Sequence, residues 1–153
     1  MRTLGNIIWH IPFLGFVSAF FTFLLGCFLV ITIIGAPIGL GLIQLSKFLL
    51  SPYSSQMIYE GELNINQNIL WKSYGVIIRI LYFPFGLILA IVAIIQVVGL
   101  FITIIGIPVA IVVAKSISTF FNPVGKKSVS KSVANELQRR KASKKVDSYL
   151  NRP

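Results

Sequence analysis

The chain has 153 residues, 56% of them apolar and only 12% charged, with a mean hydropathy of +0.85. A soluble domain carries roughly 45–50% apolar and about 25% charged residues, so this balance excludes a disordered chain and argues against a soluble globular one. Fourteen Lys and Arg against four Asp and Glu give a formal charge of +10. One cysteine and one histidine leave no internal disulfide framework and no usual Cys/His zinc site.

Uncharged runs mark the membrane segments. No Lys, Arg, Asp or Glu occurs from Thr3 to Ser46, a run of 44 residues, or from Ile80 to Ala114, a run of 35. A membrane helix needs about 20 apolar residues to cross a ~30 Å hydrocarbon core. Each run therefore holds one span, and the second is too short for two. The first long helix is predicted over Ile11–Ile34. A cleaved signal peptide would use Arg2 and the small residues Val17-Ser18-Ala19, but the apolar run continues to Ile34. That is well past a signal's usual ~7–15 residues, and an uncleaved span is expected.

Next comes the most specific pattern in the chain. Ile31-Thr32-Ile33-Ile34-Gly35-Ala36-Pro37 recurs as Ile102-Thr103-Ile104-Ile105-Gly106-Ile107-Pro108, six of seven positions identical at an offset of 71. The same offset pairs Pro52 with Pro123 and Gly15 with Gly86. Each half reads as a long apolar helix, a Gly-x-Pro break, and a 13-residue apolar segment, Ile38–Leu50 or Val109–Phe121. Glycine frees the backbone there and proline removes a donor. At 1.5 Å per residue a short segment reaches about 20 Å, so it is expected to be re-entrant or interfacial. The fold class is accordingly an all-α integral membrane protein built from two repeats, about residues 5–55 and 75–125.

Polar stripes run along both short segments. Gln44, Lys47 and Ser51 share one helix face, and Lys115, Ser118 and Asn122 stand at corresponding places. Snorkelling of the lysines to the headgroups is the plainer reading; lining a polar path or a subunit contact is the sharper one. Gly35 with Gly39 and Gly106 with Ala110 are matched small-xxx-small pairs beside Pro37 and Pro108, spacing that lets helices approach closely. Two long and two short helices bury little interior, so a homo-oligomer is expected.

A polar connector, 53–74, carries Glu60, Glu62 and Lys72 and ends in the interfacial aromatics Trp71 and Tyr74. It is inside if the short segments return to the starting side and outside if they do not. Lys47 and Lys72 favour inside. The second long helix is predicted over Ile80–Ile105, with Arg79 a turn inside its start and Gln96 midway. Snorkelling explains Arg79, and a buried amide such as Gln96 must face another helix or water.

Residues 126–153 form a basic tail with nine Lys or Arg, among them Lys126, Lys127, Lys131, Arg139, Arg140, Lys141 and Arg152, opposed by Glu136 and Asp147. Basic residues stay cytoplasmic, which puts the C-terminus inside, and Arg2 argues the same for the N-terminus. The tail is read as a solvated polar helix. Its cations are candidates for anionic lipid headgroups, each worth about 1 kcal/mol near the surface. Nucleic acid ranks well below, because topology already accounts for the charge.

The opening Met1-Arg2-Thr3-Leu4 with Asn6-Ile7, the central Pro52-Tyr53 followed by Glu62-Leu63-Asn64, the stretch Ile104–Val109 and the end Asn122-Pro123-Val124-Gly125-Lys126-Lys127 together resemble the YccF-domain family of small bacterial inner-membrane proteins. The resemblance covers about residues 1–130, and the first short segment is less charged than is usual there. It implies an integral, multi-pass protein of a bacterial inner membrane and supplies no catalytic motif.

Nothing else in the chain points to catalysis or a cofactor. His10 reads as an interfacial histidine, Cys27 as a small buried hydrophobe, and Glu60 with Glu62 lacks a cleft that would shift a carboxylate pair. An enzyme is therefore not expected. Two functions remain. One is an oligomeric, anion-leaning channel, since broken helices at matching places in repeats point to a conduction site. The other is a non-conducting membrane scaffold or regulator whose tail binds anionic lipid or a cytoplasmic partner.

Overall fold

A computed structural model describes residues 2–63 and 68–150, and the chain in it is mostly helical. Asn64 of the family-like motif and Arg152 of the tail lie outside the described residues. Helix α1 (Arg2–His10) and helix α2 (Gly15–Ile31) meet at 77°. The single helix expected over Ile11–Ile34 is thus broken at its start. Pro12 disfavours a helical conformation at Ile11, and Leu14 turns the chain in the left-handed region, at φ 51°. Gly15 has no alternative residue here, because a Cβ would run into the indole of Trp9.

After the Thr32–Gly35 turn, helix α3 (Ala36–Leu50) carries Pro37 in its first turn, where a missing N–H costs nothing. α3 folds back on α2 through glycine: Gly26 faces Gly39 with backbone against backbone. Helix α4 (Ile69–Ile102) begins well before the predicted Ile80, capped by Asn68, whose side chain accepts from the Leu70 N–H at 3.3 Å. Its 34 residues make a rod of about 51 Å. A short 3₁₀ turn, Ile104–Gly106, leads into helix α5 (Ile107–Phe121), again with proline, Pro108, in the first turn. Gly86 of α4 admits the Phe121 carbonyl at the other end of this second hairpin.

Strands were not expected, and two are present. β1 (Ser55–Tyr59) pairs antiparallel with β2 (Lys126–Ser130), Ser55 opposite Ser130, Met57 opposite Ser128 and Tyr59 opposite Lys126. The connector is therefore structured at its start. The boundary drawn at residue 126 cuts through the ribbon, so the tail proper is helix α6 (Lys131–Leu150). Of α6, Ala134 is buried and everything after Gln138 is exposed.

The ribbon lies along α3 and α5 rather than at one end of them. Gln44 Oε1 accepts from the Ser128 N–H at 3.3 Å, and Gly41 leaves room for the Pro123 carbonyl. On the other side Lys115 Nζ donates to the Pro52 carbonyl at 2.8 Å. Trp9, Leu45, Phe48, Met57 and Val112 form the small core beneath. The outer faces of α2 and α4 are unpartnered: Phe21 is 64% exposed, Phe28 65% and Ile95 67%. Apolar surface of that extent belongs in lipid. Two segments are long and apolar enough to cross a membrane, Ile69–Ile102 and Ile104–Phe121, and a third if α1 and α2 count as one bent span.

Candidate functional site

The two polar stripes face the ribbon. Besides Gln44 and Lys115, Ser51 Oγ lies 3.0 Å from Ser55 Oγ, Ser118 Oγ accepts from Lys126 Nζ at 3.4 Å, and Asn122 Oδ1 accepts from the Val124 N–H at 3.1 Å. Lys47 is exposed. Lys115 also lies over the Tyr53 ring, 5.2 Å from its centroid. Five of the six stripe residues thus spend their hydrogen-bonding groups within the chain.

Trp9 and Tyr82, which the sequence did not single out, fix the strands' approach together with Asn6, His10 and Arg79. From α1, Trp9 Nε1 donates to the Leu49 carbonyl at 2.8 Å, and His10 Nε2 stands 2.7 Å from the Leu50 carbonyl. Asn6 binds twice, its Nδ2 donating to Ser54 Oγ and its Oδ1 accepting from the Tyr53 N–H, both at 3.0 Å. From α4, Tyr82 donates to the Phe120 carbonyl at 3.2 Å and Arg79 to the Val124 carbonyl at 3.4 Å. The spacing of Asn6, Trp9 and His10 on one face of α1 was the available signal.

Both hairpin tips close on themselves. Thr32 Oγ1 donates to the Leu29 carbonyl at 2.7 Å and accepts from the Gly35 N–H at 3.2 Å. Tyr74 donates to the Ile33 and Ile34 carbonyls at 3.1 Å. At the second tip Thr103 Oγ1 donates to the Leu100 carbonyl at 3.0 Å, and the Gly106 N–H donates to the Thr103 carbonyl at 2.9 Å. Around these turns Ile33, Ile34, Ile104 and Ile105 are widely exposed.

Between α3, the first turns of α4 and the β2 edge lies a cleft of about 640 Å³, with Lys72, Arg79, Lys126 and Lys127 on its wall beside Leu40 and Val76. Arg79 stacks on Tyr59, 4.7 Å from the ring centroid. Its Nε is out of solvent and has no hydrogen-bond partner among the described residues. Burial holds the Lys126 amine below its ordinary value; Glu62 partly opposes this and Arg79 adds to it. Burial also raises the Tyr53 phenol.

Three of the tail's basic residues form ion pairs among the described residues. Lys127 meets Glu60 at 2.9 Å, Lys141 meets Glu62 at 2.8 Å, and Arg140 meets Glu136 at 3.0 Å. Lys131 lies half-exposed at the start of α6, and Arg139 is exposed. Ala110 is wholly buried, and Gly106 lies where a Cβ would meet Thr103 and the Leu100 carbonyl. Gln96 is exposed within the last two turns of α4, nearer its end than the predicted helix placed it. Among the described residues no group of three His, Cys, Asp or Glu could hold a metal ion.

Residues 4–55 match the family model YccF, an inner membrane component domain. The match takes in α1, α2 and α3 and stops at the first residue of β1. No curated protein and no solved structure matches the chain. The match to an inner membrane component domain and two helices of membrane-crossing length and composition support a membrane protein.

Proposed function

We propose that the chain is a non-conducting membrane scaffold, embedded from the cytoplasmic face by two helical hairpins that enter the lipid and return to the same face. α2 and the second half of α4 take the hydrocarbon, α3 and α5 lie toward the headgroups, and the ribbon with α1 and α6 forms the polar cap. The pairing of β1 with β2 carries this reading. It ties the connector to the start of the basic tail, so both share one side, and charge bias makes that side cytoplasmic. The halves are then parallel repeats, with β1 and β2 at the same offset of 71 as the Gly-x-Pro breaks.

The tips support it independently. A turn inside lipid must satisfy its own backbone groups. Thr32 and Thr103 each bind a backbone carbonyl of their own turn amid exposed isoleucines, and Tyr74 ties the first tip to the start of α4. A tip emerging on the far side would hold Ile104 and Ile105 in water. The pore reading would need the polar stripes to line a path, and their hydrogen bonds to the ribbon and to the turns that enter it favour the scaffold. Self-association remains part of the proposal, through Gln96 on the lipid-facing side of α4.

Single cysteines in a Cys27→Ser background test the topology. Ser54→Cys and Ser143→Cys should react with an impermeant maleimide only in inside-out vesicles, and Ile105→Cys from neither side. Labelling of Ser54→Cys from outside would overturn the arrangement. Purified protein in liposomes should pass no anion under a gradient; a flux abolished by Lys115→Ala would restore the channel.

A further inference from the structure

The stripes, the tail helix and the hairpins leave one feature unused, the basic cleft beside the ribbon. Its four cations come from separated parts of the chain, Lys72 and Arg79 from α4 and Lys126 and Lys127 from β2. Among the described residues, Glu60 is the carboxylate on its wall, and Glu60 is engaged with Lys127 at 2.9 Å. Lys72, Arg79 and Lys126 therefore bring a surplus of positive charge to one concavity.

Arg79 is the centre of the argument. Tyr59 covers one face of the guanidinium, 4.7 Å away, and orients it. Its one hydrogen bond given by the structure, to the Val124 carbonyl, is long at 3.4 Å. A guanidinium has five N–H donors in a fixed fork suited to phosphate or carboxylate oxygens, and here the buried Nε has no protein acceptor among the described residues. An unsatisfied charged donor is costly to bury, and a bound anion would remove the cost. The depressed Lys126 amine is held against the same kind of penalty.

The rest of the wall says what carries the anion. Leu40, Val76 and Trp71 are exposed beside the cations, at 44%, 46% and 41%. The cleft also lies where the polar ribbon meets the apolar hairpins. We infer that this cleft is a binding site for the phosphodiester headgroup of an anionic phospholipid, with the phosphate on Arg79, Lys72 and Lys126 and the glycerol and upper acyl chain along Leu40 and Val76. The inference rests on the embedded reading above, since only an embedded chain presents the cleft at headgroup level. It goes beyond the tail's general attraction for acidic membranes, because it names a site off the tail helix.

The test uses the full chain in phosphatidylcholine nanodiscs doped with phosphatidylglycerol, and mass spectrometry counts the lipid that survives detergent extraction. Phosphatidylglycerol should be retained over phosphatidylcholine. Arg79→Gln and the exposed Lys72→Gln should each lower that retention about tenfold, the effect of one lost charged hydrogen bond. Lys144→Gln, at the free end of α6, should not. Equal retention of both lipids, or retention that falls only with Lys144→Gln, would overturn the site. Displacement of the lipid by inorganic phosphate at equal concentration would mean a free anion and overturn the lipid as occupant. Flotation on pure phosphatidylcholine vesicles reports embedding separately. A wild-type chain that fails to float overturns the embedded reading, whereas variants that float but still keep phosphatidylglycerol overturn only the cleft.

Discussion

Met57 stands opposite Ser128 at the centre of the ribbon, and the two positions are separated by 71 residues, the same offset that relates the two Gly-x-Pro breaks. Each strand is thus the other's counterpart, and the antiparallel register is symmetric about this pair: Ser55 faces Ser130 and Tyr59 faces Lys126. An antiparallel ladder with a shared centre is what a local twofold axis through it produces. At the strand approaches the carbonyls of Leu49 and Phe120, also 71 residues apart, each accept a side-chain hydrogen bond, from Trp9 and from Tyr82.

That register is directly testable. Residues facing each other across an antiparallel pair have Cα atoms about 4.5–5.5 Å apart, within disulfide range. Met57→Cys with Ser128→Cys, in a Cys27→Ser background, should form an intrachain disulfide under mild oxidation, visible as faster migration on a non-reducing gel. Ile58→Cys with Ser128→Cys, one residue out of register and on opposite faces, should form far less. Equal yields from both pairs would mean the ribbon has no fixed register.

Trp9 couples a hydrogen bond to a packing contact. Its ring is 5% exposed, fills the space left by Gly15, and donates to the Leu49 carbonyl at 2.8 Å. Trp9→Phe keeps part of the packing and leaves a carbonyl unpaired, a loss of about 1–3 kcal/mol. Trp9→Ala removes both and should cost about 3–5 kcal/mol. Thermal unfolding in detergent should rank the two in that order, and a smaller effect from Trp9→Ala would mean that α1 is not docked.

The hairpins were legible in the sequence because their signals are local. An uncharged apolar run, a glycine and a proline at the first turn fix where a helix can stop and start, and α3 and α5 end at the predicted Leu50 and Phe121. The ribbon was not legible. β1 and β2 have no apolar alternation long enough to mark a strand, and their pairing joins residues of the connector to residues of the tail. The purpose of the stripes was hidden for the same reason. Gln44 and Lys115 look like groups seeking water or another subunit until the ribbon and the turn that enters it are in place. Arg79 read as a snorkelling cation because the aromatic face that orients it, Tyr59, belongs to that same unforeseen strand.

The two tips share a sequence but not a backbone. Ile33 sits in the left-handed region at φ 60°, where a β-branched residue is an outlier, while its counterpart Ile104 lies in a 3₁₀ turn without positive φ. Left-handed geometry costs an ordinary residue roughly 1–2 kcal/mol. Ile33→Gly should therefore stabilise the chain by about 1 kcal/mol in a thermal unfolding assay, and Ile104→Gly should not. Stabilisation by both substitutions would place the gain in the loss of an exposed side chain rather than in the backbone.

Lys126 gives the chain a defined pH response. Its folded amine titrates below the ordinary lysine value, chiefly through burial. The unfolded state then binds more protons than the folded one between the two values, so stability rises with pH in that window. Tyr53 works the other way, because burial raises its phenol above 10.0 and its contribution is lost as the pH climbs beyond that point. Wild-type thermal stability should therefore rise on approaching pH 10 and fall above it. Lys126→Met should be more stable at neutral pH and show a smaller rise. A rise as steep in Lys126→Met would assign it to a different group.

Gln96 tests self-association. It is exposed within the last two turns of α4, among lipid-facing Ile, Val and Leu, and Gly99 one turn on has open space where a Cβ would stand. An amide in hydrocarbon gains by pairing with another, about 1–2 kcal/mol in model helices, and Gly99 lets a second backbone come close enough for that pairing. Gln96→Leu should then weaken association roughly tenfold without lowering the unfolding temperature of the single chain. Subunit counting by stepwise photobleaching at low density reads this directly. Gln96→Asn, which keeps the amide, should stay associated, and a Gln96→Leu chain with the wild-type subunit count would move the contact to another face.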